Sequence, residues 1–400
     1  MKIKVYKNLL LIMMIYVLFQ GCGAAFGVFM PLYFKLIKLN QSSIGLLLGI
    51  GSLITLISQP LWGIISDRAK TKNLILKIVV AGSGLSYIFF PLSNHFIYLV
   101  IIIIVFSIFE RTIEPLCDAI TLEYIETTKW NFGHIRLVGS IGFALSAVLT
   151  GFIVSINIFY LFILLFILTL ILFIIVFSLP KIKGHQWQGQ KVNIKEILKN
   201  KNLMVCLLFS FCIQVTVGFY TAFFPIHFIQ LGGNNVLLGW AIMIATISEI
   251  VFLIFVDKIL KKYEIQNILM FSGAVVGLRW LLMYLISNPY IIMICQLMHG
   301  FTYMAFAFSM SVMINDEIPK ELRGSGQTLN MLINMSIAPM ISSIIGGMIS
   351  EFVGIREVFL YDSILVILLL IIFVFIFPIY GISNTGNCEK REPEKTYSKR

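Results

Sequence analysis

Charge is what this sequence lacks most. Asp, Glu, Lys and Arg make up 12% of its 400 residues, about half the roughly 25% found in soluble domains. A soluble chain of this length would need charged residues to cover two or three cores, and these are too few. Catalytic signatures are missing too: there is no GxxxxGK[ST] loop, HExxH, GxSxG or HRD-type loop. ATP-driven transport and membrane hydrolysis therefore have no visible machinery, and the chain is not expected to be an enzyme. Six cysteines (Cys22, Cys117, Cys206, Cys212, Cys295 and Cys388) include no CxxC pair, and five lie in apolar stretches. They indicate neither a disulfide framework nor a metal site and read as packing residues. No cofactor is implied.

What remains is apolar. Hydrophobic residues make up 59% of the chain and the mean hydropathy is +0.95, so lipid is the solvent for most of it. A helix needs about 20 apolar residues to span a bilayer core. Twelve such stretches occur, at 9–34, 44–65, 73–91, 97–120, 135–156, 158–179, 203–229, 236–256, 268–286, 289–314, 328–349 and 358–378. The first is too long for a signal-peptide core and reads as a membrane helix. The pattern is six, a break and six: a bundle over 1–179, a basic cytoplasmic linker over 180–202, a second bundle over 203–380 and a polar tail over 381–400.

A net charge of +11 raises the question of nucleic acid, but the basic residues flank apolar runs and form no single patch. With both termini in the cytosol, 24 Lys and Arg fall on the cytosolic side, and only Lys35, Lys38 and Arg356 fall outside. That asymmetry sets the orientation. The expectation is a multi-pass plasma-membrane protein, working as a monomer in the lipid bilayer.

The halves echo each other at an offset of 190. SQPLWGIISDR at 58–68 matches SEIVFLIFVDK at 248–258, pairing Ser58 with Ser248, Asp67 with Asp257 and Arg68 with Lys258. Such repeats mark transporter folds. An acid and a base closing the second helix of each half can re-pair as helices rock; the alternative is ordinary helix-end charge.

Ionisable residues within the spans are costly and point to function. In the fourth stretch, Glu110, Glu114 and Asp118 recur every four residues, which on a regular helix sets them on one face beside Arg111. Pro115 removes a backbone donor there and favours a bend. Arg136 enters the fifth stretch. In the second half, Glu249, Arg279 and His299 lie on three consecutive stretches. At 1.5 Å per residue each sits roughly 12–18 Å deep, near the middle of a core about 30 Å thick. Their counterparts by the offset are Gln59, Phe89 and Phe109, so the repeat itself does not demand charge.

GIISDRAKTK, with Gly63, Asp67, Arg68, Lys70 and Lys72, resembles the loop signature between helices 2 and 3 of the major facilitator superfamily. NFGHIRLVGSIGFALSAVLTGFI at 131–153, HGFTYMAFAFS and IPKELRGSGQTL resemble its lactose-permease-like branch, which includes proton symporters for sugars, nucleosides and aromatic acids. The resemblance implies an all-α fold of twelve transmembrane helices in two six-helix bundles related by a pseudo-two-fold axis. It implies that Asp118 pairs with Arg136 to grip substrate hydroxyls, with Glu110 and Glu114 beside them. It also implies that Glu249, Arg279 and His299 join proton transfer to cargo binding, and that Gly63, Asp67, Arg68, Asp257 and Lys258 form the switch loops. The pattern departs at Thr302, where the branch carries an acid, and in the seventh stretch, QVTVGFYTAFF, which carries none. The reading is secondary transport, as proton-coupled symport of a small polar solute; the alternative is proton-driven efflux of drugs or metabolites by antiport.

Overall fold

The protein is described here by a computed structural model covering residues 2–126, 128, 130–180, 182, 194–319 and 322–379. Most of the linker, the tail with Cys388, and the basic residues Lys129, Lys181, Lys183, Lys191 and Lys320 lie outside the described residues. Among the described residues there is no strand, and twelve helices are long and apolar enough to cross a membrane. They are α1 (Tyr6–Leu36), α2 (Gln41–Arg68), α3 (Lys72–Leu92), α4 (Phe96–Ile125), α5 (Phe132–Ile156), α6 (Tyr160–Phe177), α7 (Lys201–Gln230), α8 (Asn235–Val256), α9 (Ile265–Leu285), α10 (Pro289–Glu317), α11 (Arg323–Val353) and α12 (Ile355–Pro378).

Five of these helices start on an asparagine whose side-chain oxygen accepts a first-turn backbone N–H: Asn40, Asn131, Asn200, Asn234 and Asn288. Each cap satisfies a donor that the helix itself leaves open. Asn40 and Asn234 cap equivalent helices, the second of each half.

Within the first half, α1 packs on α5 and α6, and α2 packs on α4; within the second, α9 packs on α12. The halves meet along α2–α11, α5–α8 and α1–α7. Glycine makes the first two seams possible. A Cβ on Gly45 would fall 2.0 Å from the Ser343 carbonyl oxygen, and one on Gly239 would fall 2.6 Å from the Ala147 carbonyl oxygen. Without side chains the backbones close up, which is how helices gain contact energy in lipid. Both seams lie at the end carrying the α1–α2 and α7–α8 connections. There Asn40 Nδ2 donates to Glu351 Oε1 at 2.9 Å and the Ser42 N–H donates to Glu351 Oε2 at 3.1 Å, tying the halves together. At the opposite end, Lys72 binds Asp67 and Glu123 inside the first half, and Asn200 binds Glu317 inside the second.

A Gly45→Val substitution drives a side chain into the α11 backbone. It is expected to slow maleimide cross-linking of a cysteine pair placed at Asn40 and Glu351 by about tenfold, the effect of roughly 1.4 kcal/mol against the closed seam. An unchanged cross-linking rate would show that the seam tolerates the added bulk.

Candidate transport site

The site begins with a broken helix. In α4 the regular α-helix stops at Glu110 and resumes at Ile113. Pro115 has no N–H to give the Arg111 carbonyl, and Gln59 Nε2 from α2 donates to that oxygen at 2.9 Å. The Thr112 N–H turns back to Phe109 at 3.3 Å, and the Ile108 carbonyl it leaves accepts from Trp62 Nε1 at 2.8 Å. Helix α2 thus answers the two carbonyls the break frees, as lipid-embedded backbone requires. The second half repeats the device with different residues. There α10 passes through a 3-10 turn at Gln296–Met298 and a π turn at Gly300–Met304. Ser248 of α8 accepts the Gly300 N–H at 2.9 Å while donating to its own helix's Ala245 carbonyl at 2.6 Å, and its hydroxyl lies 3.4 Å from the Gln296 carbonyl. Ser58, its counterpart, reaches the Ser107 carbonyl at 3.5 Å.

Beyond the α4 break, Glu114 and Asp118 point together at Arg136 of α5. The guanidinium donates from Nη1 to Asp118 Oδ1 and Oδ2 at 3.2 and 3.3 Å, and from Nη2 to Glu114. Tyr16 of α1, fully buried, donates its hydroxyl to Asp118 Oδ1 at 2.5 Å. Two carboxylates on one guanidinium leave one negative charge, and the three side chains stay between 30% and 40% exposed. Glu110 departs from the expected stripe. The break falls between it and Glu114, and it lies buried with Arg111 Nε 3.2 Å from its carboxylate.

The second cluster is built on Arg279, which is 0% exposed. Nη1 contacts His299 Nδ1 at 2.8 Å and donates to Thr302 Oγ1 at 3.1 Å; Nη2 donates to Gln296 Oε1 at 2.5 Å. The Tyr220 ring lies 4.2 Å from the guanidinium carbon, and its hydroxyl donates to the same Gln296 oxygen at 2.6 Å. His299 Nε2 lies 2.9 Å from Glu249 Oε1. Arginine only donates, so His299 Nδ1 must accept; the imidazole is then neutral with its proton on Nε2, aimed at Glu249. The depth argument for these three residues is thus met by direct contact: guanidinium, imidazole and carboxylate form one chain.

Tyr303 of α10 joins the clusters. Its ring stacks on His299 with centroids 5.7 Å apart and planes 2° apart. Its hydroxyl lies within electrostatic reach of Glu249 and, across the seam, of Glu114 and Arg136. Tyr303 is thus the residue through which the two charged groups come nearest each other.

The switch-loop residues lie elsewhere, at the α2–α3 end and past the end of α8. Asp67 sits 4.0 Å from Lys72, which also binds Glu123. Arg68 is exposed, and a Cβ on Gly63 would meet nothing within 4 Å. The Asp257 side chain lies outside the described residues, and Lys258 stands over its own helix's Phe255 ring at 5.7 Å. Sequence reasoning missed Tyr16, Lys72, Gln296 and Tyr303 as partners. Lys72 was visible only as one of three bases that follow Asp67, after Arg68 and Lys70; the others carry no charge and read as core.

Residues 9–361 match the MFS_1 like family. The chain belongs to that family, and is a transporter of the major facilitator type. It is 28% identical over 351 residues to the uncharacterized transporter YwbF of Bacillus subtilis strain 168, covering 87% of this chain and 88% of that protein. It is 23% identical over 270 residues to the maltose permease of Geobacillus stearothermophilus, covering 66% and 68%. The crystal structure of the nucleoside transporter NupG superposes with a TM-score of 0.80 at 20% identity, over 92% of this chain and 99% of that one; at that identity it shares the fold.

Trp62→Phe removes the shorter of the two hydrogen bonds to the Ile108 carbonyl, leaving only the Thr112 hydroxyl at 3.5 Å. The variant is expected to lose about 1–3 kcal/mol of stability, the cost of a buried polar group without its partner, read by denaturant unfolding in detergent. No loss would mean that another donor takes over the break.

Proposed function

We propose that this protein is a proton-coupled symporter that imports a small polar solute by alternating access, acting as a monomer in the plasma membrane with both termini in the cytosol. The observation that carries the reading is the Arg279–His299–Glu249 chain facing the Arg136–Glu114–Asp118 group. One side is a titratable relay held at the membrane midplane. The other is a fork of donors and acceptors suited to hydroxyl-bearing cargo.

In this reading the end tied by Asn40 and Glu351 faces outward, following the basic residues at the other end. The outer seam is closed in this arrangement. Asp118, oriented by Tyr16, and Arg136 hold the cargo; Glu114 shares the guanidinium and is released when cargo takes its place. Glu249 carries the proton. A neutral Glu249 breaks its charge-assisted bond with His299 and leaves Arg279 without a carboxylate partner; an ionised one restores it. The two charge states therefore favour different arrangements of α8, α9 and α10, and the chemical potential of the proton biases the rocking of the halves. The Asp67–Lys72–Glu123 network holds α2, α3 and α4 together at the inner end and re-pairs as that end closes.

The test uses proteoliposomes with an imposed pH gradient and maltose, uridine and 3-phenylpropionate as probes. Accumulation driven by an inward proton gradient is the expected result; movement indifferent to the gradient contradicts symport, and movement against the proton flow would identify the efflux antiporter. Glu249→Gln and Arg136→Ala each remove hydrogen bonds to a charged group worth about 1.5–3 kcal/mol, so each is expected to cut accumulation at least tenfold while membrane insertion stays intact. Normal transport by both variants would overturn the site assignment.

A further inference from the structure

Arg279 is surrounded by neutral groups. Its partners are the His299 imidazole, the Thr302 hydroxyl, the Gln296 amide oxygen and the Tyr220 ring. Among the described residues, the carboxylate that acts on the guanidinium is that of Glu249, and it does so through His299. Gln296 is fixed in this role from every side. It is 0% exposed, its Nε2 donates to the Ile292 carbonyl at 3.0 Å, and its Oε1 accepts from both Arg279 and Tyr220. Its own carbonyl, at the 3-10 turn of α10, lies 3.4 Å from the Ser248 hydroxyl. With the Nε2 amino group spent on Ile292, the Oε1 oxygen is the end that faces the arginine.

We propose that Gln296 is a positioning residue for coupling: it holds the Arg279 guanidinium with a neutral oxygen and withholds a direct counter-ion, so that the charge of Arg279 is answered only when Glu249 is ionised. This rests on the proton-coupled reading above and adds to it the element that makes the coupling tight. A glutamate at 296 would have the same shape but would place a carboxylate at hydrogen-bond distance from the guanidinium. Coulomb attraction falls with distance, so that carboxylate would displace Glu249 as the counter-charge, and the proton on Glu249 would cease to decide how α9 and α10 sit.

The test is Gln296→Glu in the full-length protein reconstituted in proteoliposomes, with maltose, uridine and 3-phenylpropionate as probes. Two readouts are compared: accumulation driven by an imposed pH gradient, and counterflow exchange at equal pH, which needs cargo binding and rocking but no net proton movement. The expected result is a loss of accumulation of about tenfold or more, within the usual range of coupling between sites, with exchange kept near the unsubstituted rate. Accumulation at the unsubstituted level would overturn the proposal. So would equal loss of accumulation and exchange in a protein that inserts and unfolds normally, because Gln296 would then serve packing alone. Failure of the unsubstituted protein to respond to the gradient would instead defeat the proton-coupled reading on which the proposal stands.

Discussion

A guanidinium buried among membrane helices needs partners for its donors, and Arg279 finds them for Nη1 and Nη2 while its Nε has none; much of the second half follows from that arrangement. An arginine at the centre of a membrane helix costs about 2.5–3.5 kcal/mol on insertion scales, and Arg279 is wholly buried in protein. Four side chains from α7 and α10 close around it: Tyr220, Gln296, His299 and Thr302. Their positions require α10 to depart from regular α geometry between Gln296 and Met304, and that departure requires Ser248 on α8 to serve the turn. Glu249 follows Ser248 in the chain, so the residue that props the irregular turn also sets the carboxylate against His299. The geometry of the relay and the geometry of the helix break are one arrangement.

The first half uses the same plan with a different cargo of side chains. Its fourth helix breaks at the equivalent level, and α2 supplies Gln59 and Trp62 where α8 supplies Ser248. Gln59 stands at the position corresponding to Glu249. One half thus carries a neutral amide that serves backbone, and the other a carboxylate that serves a histidine. The charged group of the first half lies one to two turns past the break, on Glu114 and Asp118, and faces the second cluster across Tyr303. An ancestral repeat with equivalent breaks supplies the scaffold, and the two sets of side chains supply different chemistry on it.

The twelve spans and the asymmetry of basic residues were legible because both follow from bulk physics: long apolar runs can only be membrane helices, and positive charge stays with the cytosol. The depth of Glu249, Arg279 and His299 could be counted because each lies on a helix with recognisable ends. The stripe of Glu110, Glu114 and Asp118 misled because counting by fours assumes an unbroken helix, and α4 turns at Arg111–Thr112. Pro115 announced the bend, since the carbonyl it leaves without a donor is that of Arg111, at the break itself. Tyr16, Gln296 and Tyr303 were invisible for another reason: an uncharged polar residue in an apolar run has the same signature whether it packs or holds a charge.

The central claim is that the two charged groups line one passage between the halves and hold one cargo. A cryo-electron microscopy structure of the protein with its accumulated solute bound tests it most directly. Density touching Arg136 or Asp118 on one side and His299 or Tyr303 on the other is the result the account predicts. Density confined within a single half, or lying on the lipid-facing surface, would contradict it.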